Sequence, residues 1–218
     1  MTTPIIFLHG LSASSRWWRG VLPLLAEREA RLVDLPRFGP SFPPAGATAW
    51  LAGTIEPLSP VVLVGHSLGG LVCATLAAER PELVRALVLV APVGGSPGRS
   101  SFGYGTGLVR TLLAARPSLL LAMTADALRT GPKALLHGAH FVRTASFEGH
   151  VDAPTLLIWG GRDRLVPPGA ATDWLRAIPG ARLTVIDDAG HVPMVETPSV
   201  FAERLLEFLD DVSDGAWM

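Results

Sequence analysis

Short, unbroken apolar runs recur along the chain at Ile5–Leu8, Leu32–Leu35, Val61–Val64, Ala86–Val90, Thr155–Trp159 and Leu183–Ile186. They are rich in Val, Ile and Leu and do not alternate with polar residues, which predicts strands covered on both faces. Helical segments lie between them. Leu68–Arg80 is rich in Ala and Leu and stops before Pro81. A final helix is predicted from Thr197 as N-cap and Pro198 in the first turn, with Phe201, Leu205 and Phe208 on one face. Arg16–Arg28 reads as helical too, but Pro23 must kink it or start a new helix. Strands alternating with helices predict βαβ units and a mostly parallel, doubly wound α/β sheet of about six strands.

One stretch interrupts this rhythm. Between Ser96 and His150 no strand is predicted. Gly94–Gly98 reads as a hinge-like loop, the glycines up to Gly107 continue it, and helical patterns follow near Leu108–Ala115, Ser118–Arg129 and Pro132–Arg143. We expect residues 1–95 and 151–218 to form the core domain and residues 96–150 a small helical cap inserted between two strands.

Composition narrows the function classes. With 49% apolar and 17% charged residues the chain can bury a large core, so disorder is excluded. A formal charge of −1 leaves no field to grip a phosphate backbone, and nucleic acid is not expected as a partner. The lone Cys73 excludes a disulfide framework and has no zinc-ligand spacing around it. Met1–Pro4 lacks a positive signal region, and the greasiest stretch, Leu108–Leu128, is broken by Arg110, Arg116, Pro117 and Asp126. A cytoplasmic protein without a membrane span is the expectation.

The chemistry concentrates at Gly65-His66-Ser67-Leu68-Gly69, directly after one predicted strand and directly before a helix. This is G-x-S-x-G in the strand–turn–helix setting that gives it meaning. A turn so sharp needs Gly65 and Gly69, because a Cβ at either would crowd the serine backbone. It lifts the Ser67 hydroxyl above the sheet and places the Leu68 N–H at a helix N-terminus, where it can stabilise an oxyanion. A serine that merely N-caps a helix is the bland alternative, and the context disfavours it.

From these residues the chain resembles the α/β-hydrolase fold family, over nearly everything outside 96–150. Phe7-Leu8-His9-Gly10-Leu11 is similar to the family's oxyanion loop, which implies Gly10 as its loop glycine and the Leu11 N–H as the second donor beside Leu68. Trp159-Gly160-Gly161-Arg162-Asp163-Arg164-Leu165-Val166-Pro167 is similar to its acid-bearing loop, and Ala189-Gly190-His191-Val192-Pro193 to its histidine loop. Ser67, Asp163 and His191 stand in the family's order of nucleophile, acid and base. Asp34-Leu35-Pro36-Arg37-Phe38-Gly39 resembles a further family loop, with Arg37 in place of the usual glycine. The family's N-terminal hairpin has no counterpart before Ile5, which leaves a sheet edge to be covered.

Bottom-up, the roles are consistent. A serine hydroxyl needs a base, an imidazole titrates near neutrality, and an acid must hold its tautomer. Asp163 and His191 both follow predicted strands at the carboxyl edge where Ser67 sits, which is where open α/β sheets build sites. His9 and His66 read as loop-ordering residues, His137, His140 and His150 as bland surface histidines, and Trp17 and Trp18 as core or pocket wall. Asp187 and Asp188 lie too close to His191 in sequence to make an unstrained partner.

The expected activity is that of a serine hydrolase of carboxylic esters, with thioesters and lactones in the same class. No metal or nucleotide motif is read and no cofactor is expected; Gly65–Gly70 lacks the Lys-Ser/Thr of a Walker loop. The serine argues against the dehalogenase and epoxide hydrolase relatives, which the resemblance says carry Asp at the elbow. A carbon–carbon bond hydrolase of vinylogous diketones, a cofactor-free perhydrolase or lyase, and a non-catalytic binding homologue are the alternatives. Leu112, Leu113, Leu119, Leu120, Met123, Leu128, Leu135, Leu136 and Phe141 predict a cap that packs on the core and selects a small apolar ester-type substrate. Arg110, Arg116, Arg129, Lys133 and Arg143 could instead form a cationic rim for a phosphopantetheine-linked thioester.

Overall fold

The computed structural model describes residues 3–37, 46–95, 107, 111 and 117–217. Six strands form one parallel sheet: β1 (Ile5–Leu8), β2 (Ala30–Val33), β3 (Val61–His66), β4 (Val84–Val90), β5 (Thr155–Gly160) and β6 (Arg182–Ile186), in the order β2-β1-β3-β4-β5-β6. The helices are α1 (Ala47–Ile55), α2 (Leu68–Glu79), α3 (Pro117–Thr130), α4 (Pro132–Thr144), α5 (Ala171–Ala177), α6 (Pro193–Glu196) and α7 (Pro198–Ser213). This is the parallel, doubly wound α/β sheet of six strands expected from the strand pattern.

Both sheet faces are covered, which explains the unbroken apolar strands. Ile6, Leu8, Leu63, Leu87, Leu89, Leu157 and Trp159 point into a core closed by Leu51 and Ile55 of α1, Leu71 and Leu76 of α2 and Trp174 of α5. Their neighbours Ile5, Phe7, Val62, Val64, Val88, Leu156 and Ile158 point into a second core, closed by Trp18, Val21 and by Phe201, Leu205 and Phe208 of α7. Helix α2 is buried nearly all round, which accounts for its Ala- and Leu-rich sequence.

Two local expectations change. The predicted helix at Arg16–Arg28 is a pair of 3₁₀ turns, Ser15–Trp18 and Leu22–Leu24. Pro23 has no N–H to continue a helix, and the irregular path lets Trp18, Val21 and Leu25 all reach the second core. Strand β2 ends at Val33 instead of Leu35, because β1 offers only Ile5–Leu8 to pair with. Beyond it the Leu35 N–H turns away from the ladder to His9 Nε2, at 3.1 Å. At this edge β2 is short, with an exposed Arg31–Glu29 ion pair, features that discourage further strand pairing.

Between β4 and β5 the described residues contain α3 and α4 and no strand. Of the apolar residues expected there, Leu119 is buried and Leu120, Met123, Leu135 and Phe141 are half-buried. Leu128 and Leu136 instead face outward, 79% and 72% exposed, so they pack on nothing described. Of the helix predicted at Leu108–Ala115 only Thr111 is described, and it is helical; Leu112 and Leu113, most of the loop Gly94–Gly98, and Phe38 and Gly39 lie outside the described residues. No described helix is long and apolar enough to cross a membrane.

Candidate active site

The sheet order reverses direction between β1 and β3, which creates a crevice at their carboxyl ends. Ser67 stands there, on the single residue between β3 and α2, with φ 53° and ψ −115°. That left-handed conformation is held by the Ser67 N–H donating to the Val90 carbonyl at 2.9 Å and by the Gly70 N–H donating to the Ser67 carbonyl at 3.0 Å. The flanking glycines are demanded by contact. A Cβ on Gly65 would stand 2.5 Å from the Gly69 carbonyl oxygen, and one on Gly69 would stand 2.4 Å from that of His9. The second clash explains how α2 comes to lie against the end of β1.

Gly10 closes the crevice from the β1 side. A Cβ there would stand 3.0 Å from the Ser67 Cβ, so the turn carrying Leu11 passes directly beside the serine. Leu68, the first residue of α2, has its N–H among those that a helix leaves without an internal partner. Gly10, Leu11, Gly65, Ser67, Leu68 and Gly69 are thus brought together at the ends of β1 and β3.

Asp163 and His191 meet across two loops. His191 Nδ1 donates to Asp163 Oδ2 at 2.8 Å, with both side chains buried. The other carboxylate oxygen is taken: Asp163 Oδ1 accepts the N–H groups of Leu165 and Val166, each at 2.9 Å. A carboxylate so engaged forces the proton onto Nδ1 and leaves Nε2 with its lone pair, the form a general base requires. The Arg162 N–H donates to the Ala189 carbonyl at 2.9 Å, and Trp159 Nε1 donates to the Val166 carbonyl at 2.8 Å. The acid loop is thereby stitched to the histidine loop and to β5. Asp187 and Asp188 are exposed, and Asp188 pairs with Arg162.

The other histidines divide as their positions suggest. His9 is buried, donates through Nδ1 to the Gly10 carbonyl at 2.8 Å, and lies 3.3 Å from Asp34 Oδ1. His9 and the Ser15 donors hold the Asp34 carboxyl far below the usual carboxylate range. His66 is buried, with its ring 4.8 Å from that of His191. Burial first, and the neighbouring His191 second, push its pKa well down. His137, His140 and His150 are exposed. Trp18 sits in the core between Phe7 and Phe201.

Two acids missed by sequence reasoning belong to the surroundings of the site. Glu196, in α6, accepts the Gly190 N–H at 2.8 Å and the Val192 N–H at 3.1 Å, gripping the backbone on both sides of His191. Asp126, in α3, is 1% exposed and meets donors from residues 14–17. Its signal was visible: a lone carboxylate on the apolar stretch 117–128 must face solvent or find partners. A cavity of 240 Å³ opens beside the turn that carries Leu11, lined among others by Leu11, Ser14, Asp34, Arg37, Asp126 and Arg129. Among the described residues no His, Cys, Asp and Glu side chains converge as a metal ion would need.

The Alpha/beta hydrolase family model matches residues 5–204. The chain belongs to the alpha/beta hydrolase family. It is 28% identical, over 94% of its own length and 94% of the relative's, to a pimeloyl-[acyl-carrier protein] methyl ester esterase of Aeromonas hydrophila. It is 27% identical, over 94% and 86%, to a 2-hydroxy-6-oxononadienedioate/2-hydroxy-6-oxononatrienedioate hydrolase of Cupriavidus pinatubonensis. Among solved structures it is similar to a bacterial membrane phospholipase A, with a TM-score of 0.79 and 25% identity over 97% of this chain and 80% of the other. As an alpha/beta hydrolase with esterase relatives, the chain is an esterase-type hydrolase.

Proposed function

We propose that the chain is a serine carboxylesterase acting on small-molecule esters through Ser67, His191 and Asp163, with the N–H groups of Leu68 and Leu11 as the oxyanion hole. Residues 1–95 and 151–218 form the catalytic core and residues 96–150 a cap over it. The observation that carries the reading is the 2.8 Å bond from His191 Nδ1 to a buried Asp163, together with a serine held at φ 53° between strand and helix.

In the proposed reaction His191 Nε2 takes the Ser67 hydroxyl proton as Oγ attacks the ester carbonyl carbon. The carbonyl oxygen becomes an oxyanion facing the Leu68 and Leu11 N–H groups, the largest expected contribution to rate. Collapse breaks the bond to the alkoxy oxygen, which leaves as the alcohol with the proton from His191. Water then gives up a proton to His191 as it attacks the acyl carbon, and the bond to Oγ breaks as His191 passes that proton to it, releasing the acid and free Ser67. Asp163 stays ionised and stabilises the imidazolium.

Carbon–carbon bond hydrolysis is the second reading, favoured by the similarity to the Cupriavidus hydrolase. Steady-state rates on p-nitrophenyl esters, thioesters and lactones, set beside a vinylogous diketone, decide between them. A fluorophosphonate adduct on Ser67 and efficient ester turnover support the esterase. Preference for the diketone by orders of magnitude transfers the assignment to the second reading. No adduct and no turnover of any of these would leave a binding protein.

A further inference from the structure

The turn that carries Leu11 is held from outside the core. It is closed by the Ala13 N–H donating to the Gly10 carbonyl at 3.3 Å, and its Ser12 sits at φ 56°, in the left-handed region that a side chain disfavours. Strain of this kind persists only where the surroundings enforce it. On its far side the chain runs straight into Ser14, Arg16 and Trp17. Ser14 Oγ, an Arg16 guanidinium nitrogen and Trp17 Nε1 all donate to the Asp126 carboxylate, at 3.2, 2.6 and 2.7 Å. Asp126 is buried on α3, with Arg129 3.8 Å away at the rim. A second hold comes from α4, where Gly138 presses on Leu11 itself: a Cβ built on Gly138 would stand 2.2 Å from Leu11 Cδ1. The two helices between β4 and β5 therefore grip the strained turn at both ends, one by a buried charge-assisted cluster and one by direct contact.

We propose that Asp126 is a positioning residue for the oxyanion hole: through the cluster with Ser14, Arg16 and Trp17, it fixes the turn that presents the Leu11 N–H beside Ser67. On this reading the cap builds half of the hole as well as covering the site. The proposal rests on the serine-esterase function above. Loss of the cluster lets Ser12 relax and swings the Leu11 N–H away, and a displacement of about 1 Å at such a donor costs on the order of a hundredfold in rate.

Two variants test it. Asp126→Asn keeps the volume but presents an amide where the carboxylate met its donors. Trp17→Phe removes the indole donor to the carboxylate and keeps an aromatic ring in its place. Both are expected to lower kcat about 10–100-fold on a p-nitrophenyl ester with KM within about twofold. Both should also weaken a boronic acid, which binds as a tetrahedral adduct, by the same factor as kcat/KM falls. A clasp that only fastens the cap would raise KM or lower the melting temperature and leave kcat and boronate affinity in step with wild type; that outcome overturns the proposal. If Asp126→Asn fails to fold, Trp17→Phe decides alone by the same criterion. Wild-type protein that neither turns over esters nor binds the boronate refutes the esterase reading instead, so the two failures are distinguishable.

Discussion

The Nε2–H of His66 donates to the backbone carbonyl of His191 at 2.9 Å. The residue before the serine therefore fixes the main chain of the histidine; the bond places a proton on Nε2, and burial keeps the ring neutral. Its Nδ1 is buried without a hydrogen-bond partner.

That arrangement sets an acid limit on stability. Burial holds the folded pKa of His66 well below the ordinary 6.5 that the unfolded chain keeps. Above about pH 6.5 neither state is protonated there, and His66 adds no pH dependence. Below it the unfolded chain binds a proton that the folded one refuses, so stability falls by up to about 1.4 kcal/mol per pH unit. His66→Gln keeps a donor toward His191 and removes the titration. Urea midpoints between pH 8 and 5 should fall less steeply for this variant than for wild type; equal slopes would reject the assignment.

The φ of Ser67 makes opposite demands on activity and stability. Ser67→Ala keeps the Cβ in the left-handed region, whereas Ser67→Gly removes it. Both should lose at least about a thousandfold in kcat. The glycine variant should nevertheless be more stable than the alanine variant by about 1 kcal/mol, which calorimetry would register as roughly 2–4 °C in Tm.

With the Asp163 carboxylate accepting from His191 Nδ1, replacement of its Oδ2 by an amide invites the wrong imidazole tautomer. Asp163→Asn should cut kcat by about 10⁴ with little change in substrate binding. Asp187→Asn and Asp188→Asn, at exposed positions, should stay within about twofold of wild type. Steady-state kinetics on one ester substrate compares all three.

Glu196 grips the loop rather than the ring. Glu196→Ala leaves the Gly190 and Val192 N–H groups without their acceptor, which costs about 1–3 kcal/mol in denaturant unfolding. A looser His191 should also lower kcat by about tenfold or more. Glu196→Gln, which keeps one acceptor oxygen, should recover part of both losses.

Much of this was legible in the chain. Continuous aliphatic runs announced the six strands because both sheet faces are covered, and the elbow was readable because Gly65 and Gly69 have no steric alternative. Asp163 was separable from Asp187 and Asp188 because those two lie too close to His191 in sequence to make an unstrained partner. Helices α1 and α5 were not foreseen, being short, capped by Gly46 and Ala170 without side-chain bonds, and defined chiefly by packing on the sheet. Asp126 was visible as an anomaly, but its partners lie some hundred residues away in sequence, and only the tertiary fold brings them together. Glu196 escaped because its acceptors' partners are backbone groups, which carry no sequence signature.

The two-sided burial of the strands has a consequence for how the chain finds its native pairing. Sliding β3 by one residue against β1 would exchange Leu63 with Val62 and Val64 between two equally greasy interiors, so burial alone scarcely penalises the mispaired sheet. The penalty arises at the strand's end. A slip carries Gly69 off the place where only a glycine clears the His9 and Leu8 carbonyls, and in one direction sets Leu68 against them, so the helix cannot dock. The small residue that opens the helix thus also proofreads the sheet during folding, and Gly69→Ala should populate misassembled, aggregation-prone chains before it ever reaches the question of rate.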